Sequence, residues 1–239
     1  MNFIPLEIIV PIYNEGEKLI KLLNLFETNI KTKFRVLLCY DSDQDDVFQF
    51  FKEIEKFKYE IILVKNPLSG PCAAVKQGLR FGNSECKIVF PADDFLNINL
   101  IDKMFLLFKQ GNEVVVPSRF MPGGTMIGCP VIKGILVRTA SIILYIFSNI
   151  GVRDATNGFR LFSENLLKSV NIESTKGFAY SLELLAKAKR LGYKSGELPA
   201  QWEEREVKSK SRFKIMHWLP EYLKWFFYCL ATSWLRKKI

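Results

Sequence analysis

The sequence has few of the residues that mark secreted or disulfide-bonded proteins. Its five cysteines (39, 72, 86, 129 and 229) are an odd number and form no CxxC pair. Cysteines in strand-like runs with this spacing are expected to be buried, reduced thiols of a cytosolic protein. The start of the chain lacks the basic flank of a signal peptide. The only histidine, His217, lies near the C-terminal end, and we assign it no chemistry.

Long apolar runs, internal repeats and low-complexity tracts are also missing. No stretch of eighteen uncharged apolar residues occurs; the long apolar segment 131–150 carries Lys133 and Arg138. Two cations argue against a membrane span, so this segment is predicted to be a buried or interfacial helix. With 49% hydrophobic residues among 239, the chain can bury a full core, and disorder is not expected.

The chain carries an excess of positive charge, most of which lies near the C-terminal end. The formal net charge is +9, and residues 205–239 hold nine Lys and Arg side chains against two Glu. Such a charge suits anionic partners: nucleotide phosphates, acidic lipid or nucleic acid. No nucleic-acid recognition motif is present, and the aromatic residues of this end cluster in an apolar segment instead of alternating with basic ones. We therefore expect no nucleic-acid partner.

Apolar strand patterns alternate with helical patterns through the first half of the chain. Asn14 and Glu17 have the spacing of a capping box, and Pro71 suits the first turn of a helix. The alternation predicts an α/β fold with βαβ crossovers and a mostly parallel sheet. Strands are predicted at 7–13, 34–40, 59–65, 88–90 and 113–119. Helices are predicted after the cap at Asn14 and from 47, 71, 99, 131 and 179.

Two adjacent carboxylates, Asp93 and Asp94, follow the predicted strand at 88–90. In an open parallel sheet, ligands bind outside the carboxyl ends of the strands, where the loop after Tyr13 and the acidic loop 41–46 are also expected. Mg²⁺ takes carboxylate oxygens and substrate phosphates at such sites. Taken alone, the Asp93–Asp94 pair could instead cap a helix, and the acidic loop 41–46 could be a solvated turn. Three polar loops at one edge of the sheet favour a binding cleft.

Several motifs follow one another along the chain: Val10 to Glu15, the acidic loop from Asp41, Pro91 to Asp94, Ser118 to Phe120 with Gly123 and Gly124, Asp154 to Arg160, and Gly177 to Glu183. In this order they resemble the family-2 glycosyltransferases with a GT-A (Rossmann-like) fold. The branch they resemble most is that of dolichyl-phosphate mannose synthase and related polyprenyl-phosphate glycosyltransferases. The resemblance runs from about residue 6 to about 213.

The resemblance implies a nucleotide-sugar donor. Pro11, Tyr13 and Glu15 would line the base and ribose, and Asp41 would accept a hydrogen bond from the base. Asp43 and Ala92 are assigned to the same donor site, and a later basic loop with Arg205 and Lys210 would close over the diphosphate. The family has two Asp in the acidic loop, and here Tyr40 replaces the first. The base therefore stays open among UDP-, GDP- and CDP-sugars.

The resemblance also implies a divalent cation, with one departure. The family motif is Asp-x-Asp, and Pro91 stands at its first position. Asp93, with Asp94 in place of the lost ligand, is therefore predicted to bind Mg²⁺ or Mn²⁺, which would neutralise charge on the leaving diphosphate. The alternative is a catalytically inactive subunit that binds nucleotide sugar or lipid.

Arg119 and Arg160 match the family's two basic positions near an acceptor phosphate, and a guanidinium binds phosphate through two parallel hydrogen bonds. A phosphate monoester is already ionised near neutral pH, so an inverting displacement by it needs no strong base. A saccharide hydroxyl acceptor would need one. Glu183 is the candidate base for that alternative. The predicted catalytic residues are thus Asp93, Arg119, Arg160 and Glu183.

The chain is divided into a glycosyltransferase domain, 1–213, and a C-terminal segment, 214–239. Residues 216–235 hold three Trp and end beside Arg236, Lys237 and Lys238. Aromatic residues mixed with cations suit the level of lipid headgroups, so we predict a helix at the membrane interface on the cytoplasmic face. The alternative is a helix packed on the domain or on a partner subunit of an oligomer.

Overall fold

The computed structural model describes residues 4–82, 84–203 and 215–233, with the backbone alone for 215–217. The strands are β1 (Leu6–Pro11), β2 (Phe34–Tyr40), β3 (Ile61–Lys65), β4 (Cys86–Val89), β5 (Val114–Ser118), β6 (Thr125–Ile127), β7 (Arg160–Ser163), β8 (Ser195–Pro199) and β9 (Gln201–Glu203). The α-helices are α1 (Glu17–Asn29), α2 (Phe51–Ile54), α3 (Pro71–Arg80), α4 (Ile101–Lys109), α5 (Val131–Phe147), α6 (Glu164–Ser169), α7 (Ala179–Leu191) and α8 (Ile215–Thr232). Turns of 3₁₀ helix at Asp46–Phe50 and Ile98–Leu100 precede α2 and α4.

A seven-stranded sheet in the order β3-β2-β1-β4-β7-β5-β8 forms the centre of the described chain. All neighbouring strands are parallel except β7, which is antiparallel to both β4 and β5. A short parallel pair, β6 and β9, lies apart from it. The predicted α/β fold with a mostly parallel sheet is confirmed. The loops after β1, β2 and β4 lie at one edge because these strands are parallel neighbours.

Helices cover both faces of the sheet, and alternate residues of β1 point to opposite faces. Ile8 and Val10 pack with Phe26 of α1 in one core cluster. Ile9 packs with Val75 of α3 in the other. The near-continuous apolar runs of the central strands are therefore explained by burial on both sides. The five cysteines are free thiols, as predicted, and four of them are buried.

The capping box predicted at Asn14 and Glu17 does not form. Helix α1 begins at Glu17 after Gly16, without a side-chain cap, and Asn14 has a positive φ of 52°. The Asn14 amide N–H donates to Asp45 Oδ2 at 3.0 Å, and Asn14 Oδ1 accepts the Asp46 N–H at 3.3 Å. Asn14 therefore joins the first loop to the acidic loop instead of capping α1.

The C-terminal segment forms α8, which packs on the domain. Trp225 and Cys229 are buried in the same core cluster as residues of α7, while Leu223 and Phe227 stay exposed. This packing is one of the two alternatives left open by the sequence. Within residues 4–82, 84–203 and 215–233, no helix combines the length and apolar character needed to cross a bilayer.

Candidate active site

A cleft of about 910 Å³ opens at the carboxyl ends of the central strands. Pro11 at the end of β1, Asp93 in the loop after β4 and Arg119 after β5 line it. Residues of α5 and α8, including Ala140 and Tyr222, also line it. Ligands of α/β proteins bind at this position. The cleft thus brings together a carboxylate, a guanidinium and an apolar wall.

The two adjacent carboxylates have different surroundings. Asp93 is exposed and lines the cleft. Asp94 is half-buried, and its carboxylate accepts hydrogen bonds from Leu96 N at 2.9 Å and from Asn97 N and Nδ2 at 3.1 and 2.7 Å. Burial raises the pKa of Asp94 above its ordinary value, against these hydrogen bonds. Asp94 therefore shapes the turn that presents Asp93.

The carboxylates at the cleft fit a cation whose coordination is completed by substrate phosphates and water. The described part of the chain has no group of three or more His, Cys, Asp or Glu residues that could enclose a metal ion. Mg²⁺ is usually held by one or two carboxylates plus substrate phosphates and water, not by a full protein cage. The exposed Asp93 carboxylate in the cleft fits this arrangement, with Asp94 directly beside it.

Asp41 joins the end of β2 to the start of α3. Its carboxylate accepts the Gly70 N–H and Asn66 Nδ2, both at 2.8 Å. Asp43 is exposed and forms an ion pair with Lys65. Tyr40, in the position where the family has Asp, is buried and packs edge-to-face on Phe48 with ring centroids 5.1 Å apart. Tyr40 is therefore part of the hydrophobic core.

Among the residues that the structure describes, the other side chains predicted for the donor site do not line the cleft itself. Tyr13 is exposed in the loop after β1, Glu15 of the same loop is half-buried, and Ala92 is buried beside Asp93. Arg205 and Lys210 lie outside the described residues. The structure therefore brings the predicted residues of the β1 and β4 loops to one edge of the sheet.

Arg119 is held at the cleft by Asp154. Its Nε donates to Asp154 Oδ2 at 2.7 Å and its Nη2 to Oδ1 at 2.9 Å, and Nη2 also donates to Thr156 Oγ1 at 2.9 Å. Asp154 is fully buried, which raises its pKa, but the Arg119 charge and hydrogen bonds outweigh burial and hold the pKa below its usual value. The pair fixes the guanidinium in one orientation.

Arg160 lies behind this pair and does not line the cleft. It is fully buried, and its Nη2 donates to the backbone oxygen of Asp154 at 3.2 Å. Its Nη1 donates to the backbone oxygen of Ser181. Burial lowers the pKa of Arg160 to about 10, although Asp154 opposes this. Contrary to the expectation from the sequence, Arg160 is therefore not placed to contact a phosphate in the cleft directly, because its guanidinium is buried against backbone oxygens.

Glu183 is also away from the cleft. Its carboxylate is fully buried and accepts the N–H groups of Glu173 and Ser174, each at 2.7 Å, and Lys187 Nζ at 2.6 Å. Both oxygens are thus used to fix the loop before α7. This placement corrects the expectation of a general base, because no side of the carboxylate is open to a substrate hydroxyl.

The sequence interpretation did not include several residues of the cleft. Lys133 of α5 is half-buried and lines the cleft with its Nζ 5.1 Å from the Trp202 ring centroid. Asn157 lines it as well, and its Nδ2 donates to Pro117 O at 2.7 Å. Tyr222 of α8 also lines the cleft, and burial raises its pKa to about 12. A single lysine in an apolar helix was the available signal for Lys133.

Residues 7–170 match the profile of Glycosyl transferase family 2, which covers more than half of the chain. The chain belongs to this family. It is therefore a glycosyltransferase that uses a nucleotide-sugar donor, as the resemblance predicted.

Two curated relatives match most of the chain at low identity. Polyprenol monophosphomannose synthase of Mycolicibacterium smegmatis is 22% identical in an alignment of 228 residues that covers 88% of this chain and 85% of the relative. Dolichol-phosphate mannosyltransferase of Pyrococcus furiosus is 22% identical in an alignment of 227 residues that covers 91% of this chain. The match spans only 63% of the Pyrococcus protein's length.

Solved structures confirm the fold. Glucosyl-3-phosphoglycerate synthase of Mycobacterium tuberculosis, solved with Mn²⁺, UDP and glucosyl-3-phosphoglycerate, has a TM-score of 0.63 and 12% identity over 98% of this chain and 81% of its own. Mannosyl-3-phosphoglycerate synthase of Rubrobacter xylanophilus has a TM-score of 0.68 and 12% identity, covering 99% and 77%. At this identity the likeness establishes the GT-A type of α/β fold.

Proposed function

We propose that this enzyme transfers a hexose from a nucleotide diphosphate sugar to a lipid-linked phosphate, with polyprenyl phosphate as the acceptor, by inverting displacement. The observation that carries the proposal is the composition of the cleft. It is lined by the exposed Asp93 carboxylate, by the fixed Arg119 guanidinium and by apolar side chains of α5 and α8. These parts match the diphosphate, phosphate and hydrocarbon groups of the two substrates.

The donor is assigned to the loops after β1, β2 and β4. Pro11, Tyr13 and Glu15 face the base and ribose, and Asp41 and Asp43 belong to the same donor site with Ala92. Asp93, supported by Asp94, holds Mg²⁺ or Mn²⁺. When bound, the cation neutralises charge on the leaving diphosphate. Arg205 and Lys210 complete the diphosphate site in this proposal.

The acceptor phosphate is assigned to Arg119. In the group formed by Arg119, Arg160 and Asp154, two positive charges face one carboxylate. This group therefore keeps a net positive charge, which attracts an anion. A phosphate oxygen is ionised near neutral pH and attacks without a strong base. The buried, fully bonded Glu183 is consistent with such an acceptor.

The apolar wall is assigned to the acceptor's lipid chain. Leu136 and Val137 of α5 and Leu219 of α8 line the cleft. The printed names of the two curated relatives, which refer to polyprenol and dolichol phosphates, support the same acceptor class. We place the enzyme at the cytoplasmic face of the membrane as a peripheral protein. A saccharide hydroxyl acceptor and an inactive binding subunit are the competing functions.

Calorimetric titration with UDP-, GDP- and CDP-sugars, each with Mn²⁺ and with EDTA, tests the donor half of the proposal. We expect the sugar nucleotides of one base to bind, and only with the cation.

Asp41→Ala should weaken that binding about 10- to 100-fold, because a hydrogen bond to a charged group contributes about 1.5–3 kcal/mol. Asp102→Ala is the matched control, since the Asp102 carboxylate also accepts two backbone N–H groups, from Lys31 and Thr32. These two residues precede β2 and therefore lie at the edge of the sheet away from the cleft. Failure of all three donors to bind would contradict the proposed donor site.

A further inference from the structure

Helix α5 has an apolar face that nothing covers in the described part of the chain. Ile132, Ile135, Ile142 and Ile146, with Thr139, follow the spacing of one helical face, here called the outward face. The four isoleucines are between 50% and 74% exposed. Ser141 and Leu144 are the buried residues of this helix. A contiguous apolar surface of this kind marks an interaction site.

A second cavity, of about 300 Å³, borders the outward face. Arg138 and Arg153 line it together with Phe120 and Tyr145. The Arg138 guanidinium lies 5.3 Å from the Phe120 ring centroid, and that of Arg153 lies 5.3 Å from the Tyr145 centroid. Arg153 is also paired with Glu197, whereas Arg138 has no ion pair with any residue that the structure describes. Two guanidinium groups on aromatic rings thus stand at the edge of an apolar surface.

We propose that the outward face of α5 docks on an anionic lipid bilayer and that the Arg138–Arg153 cavity receives a lipid headgroup phosphate. The proposal rests on the lipid-linked acceptor proposed above and adds the surface through which the enzyme reaches the membrane. Isoleucines enter the boundary between headgroups and acyl chains, while arginine and tyrosine keep their polar ends at headgroup level. The sequence predicted a membrane contact in the C-terminal segment and a buried or interfacial helix at 131–150; in the structure α8 buries Trp225 and Cys229, whereas the isoleucines of α5 are exposed.

Two observations favour a bilayer over a second copy of the chain. The active-site cleft lies along another side of the same helix, at Leu136 and Ala140, so docking through α5 brings the apolar wall of the cleft to the membrane surface. A two-fold contact through the outward face would also bring the same cations of two copies close together. A bilayer containing anionic lipid supplies the opposite charge instead.

Vesicle flotation of the full chain tests the proposal, with phosphatidylcholine vesicles that contain or lack phosphatidylglycerol. Arg138→Gln should weaken binding to the anionic vesicles about fivefold, the effect of one cation near such a surface, and leave binding to phosphatidylcholine alone unchanged. The double variant Ile135→Asn with Ile146→Asn should weaken binding to both vesicles at least about tenfold. Arg80→Gln and Leu106→Asn, which change an exposed arginine of α3 and an exposed leucine of α4, are the matched controls and should bind as the unmodified chain.

The proposal is overturned if both α5 variants bind anionic vesicles as tightly as the unmodified chain. It is also overturned if sedimentation shows a dimer that the isoleucine variant dissociates while vesicle binding stays the same, since the face would then join two copies. The donor titration on the same variants separates the two proposals. Donor affinity should not change, and a chain that binds vesicles through α5 but binds no donor contradicts the proposed function alone.

Discussion

Asp93→Ala should lower sugar transfer at least about 100-fold at saturating acceptor, the size of effect seen when a group that stabilises developing charge is removed from an active site. Asp93 is the exposed carboxylate of the cleft and the side chain assigned to hold the cation. The loss should be accompanied by loss of Mn²⁺-dependent donor binding. Transfer of radiolabelled sugar over a Mn²⁺ series, together with calorimetry, measures both effects.

Two further variants make this result specific. Asp94→Asn keeps an oxygen that can accept the N–H groups of Leu96 and Asn97, so it should reduce transfer much less than Asp93→Ala. Glu17→Ala removes an exposed carboxylate at the start of α1 and should change neither transfer nor the unfolding temperature. Full activity of Asp93→Ala, or equal losses in the Asp93 and Asp94 variants, would show that the cation assignment is wrong.

Asp154→Ala should destabilise the protein by about 3–5 kcal/mol, because it leaves buried arginine charges without their counter-ion. Asp154 is fully buried, forms two hydrogen bonds with the Arg119 guanidinium, and has Arg160 hydrogen-bonded to its own backbone oxygen. Denaturant unfolding measures the change in free energy. Asp43→Ala is the control, since its exposed ion pair with Lys65 contributes at most about 1 kcal/mol.

The same carboxylate predicts a pH dependence. The pKa of Asp154 in the folded protein is below the ordinary value of 3.8, so its stabilising effect is complete above that value and is lost as the pH falls through the lower folded pKa. The stability of the unmodified chain should therefore fall more steeply at acid pH than that of Asp154→Ala. An unchanged unfolding free energy in Asp154→Ala would show that the buried pair does not hold Arg119 in place.

Elements with a strong local pattern were predicted from the sequence. The strand at 34–40 and the helix at 179–191, which ends at Gly192, have the predicted bounds in the structure. Both combine regular apolar spacing with clear end signals. The helix predicted from residue 47 is instead a 3₁₀ turn followed by the short α2. The 3₁₀ turn starts after Asp45, whose carboxylate accepts the Val47 N–H as the N-cap.

The failures depend on contacts between distant parts of the chain. Strand β7 lies between β4 and β5 and is antiparallel to both, which no local pattern around Arg160 indicates. Asn14 has a positive φ because its partners are Asp45 and Asp46, about thirty residues away. Local spacing predicts helices and strands, but it does not show which side chains another strand or loop will bind.

The candidate site shows the same division. Asp93 and Arg119, which follow strands directly, lie in the cleft as expected, because the end of a strand determines the position of the next few residues. Arg160 and Glu183 have the right chemistry for the cleft but are buried against backbone groups. Likewise, helical spacing identified α5, but only packing shows that its isoleucines are uncovered and that α8 is partly buried.

The most direct test of the account is transfer from the nucleotide sugar identified by calorimetry to polyprenyl phosphate, compared with the same polyprenol without its phosphate. The two acceptors share the lipid chain and differ only in the anionic group assigned to Arg119. We predict a polyprenyl-phosphate-linked sugar as the product and no transfer to the alcohol. Transfer to the alcohol, or to a saccharide hydroxyl while the lipid phosphate stays unmodified, would contradict the proposed acceptor.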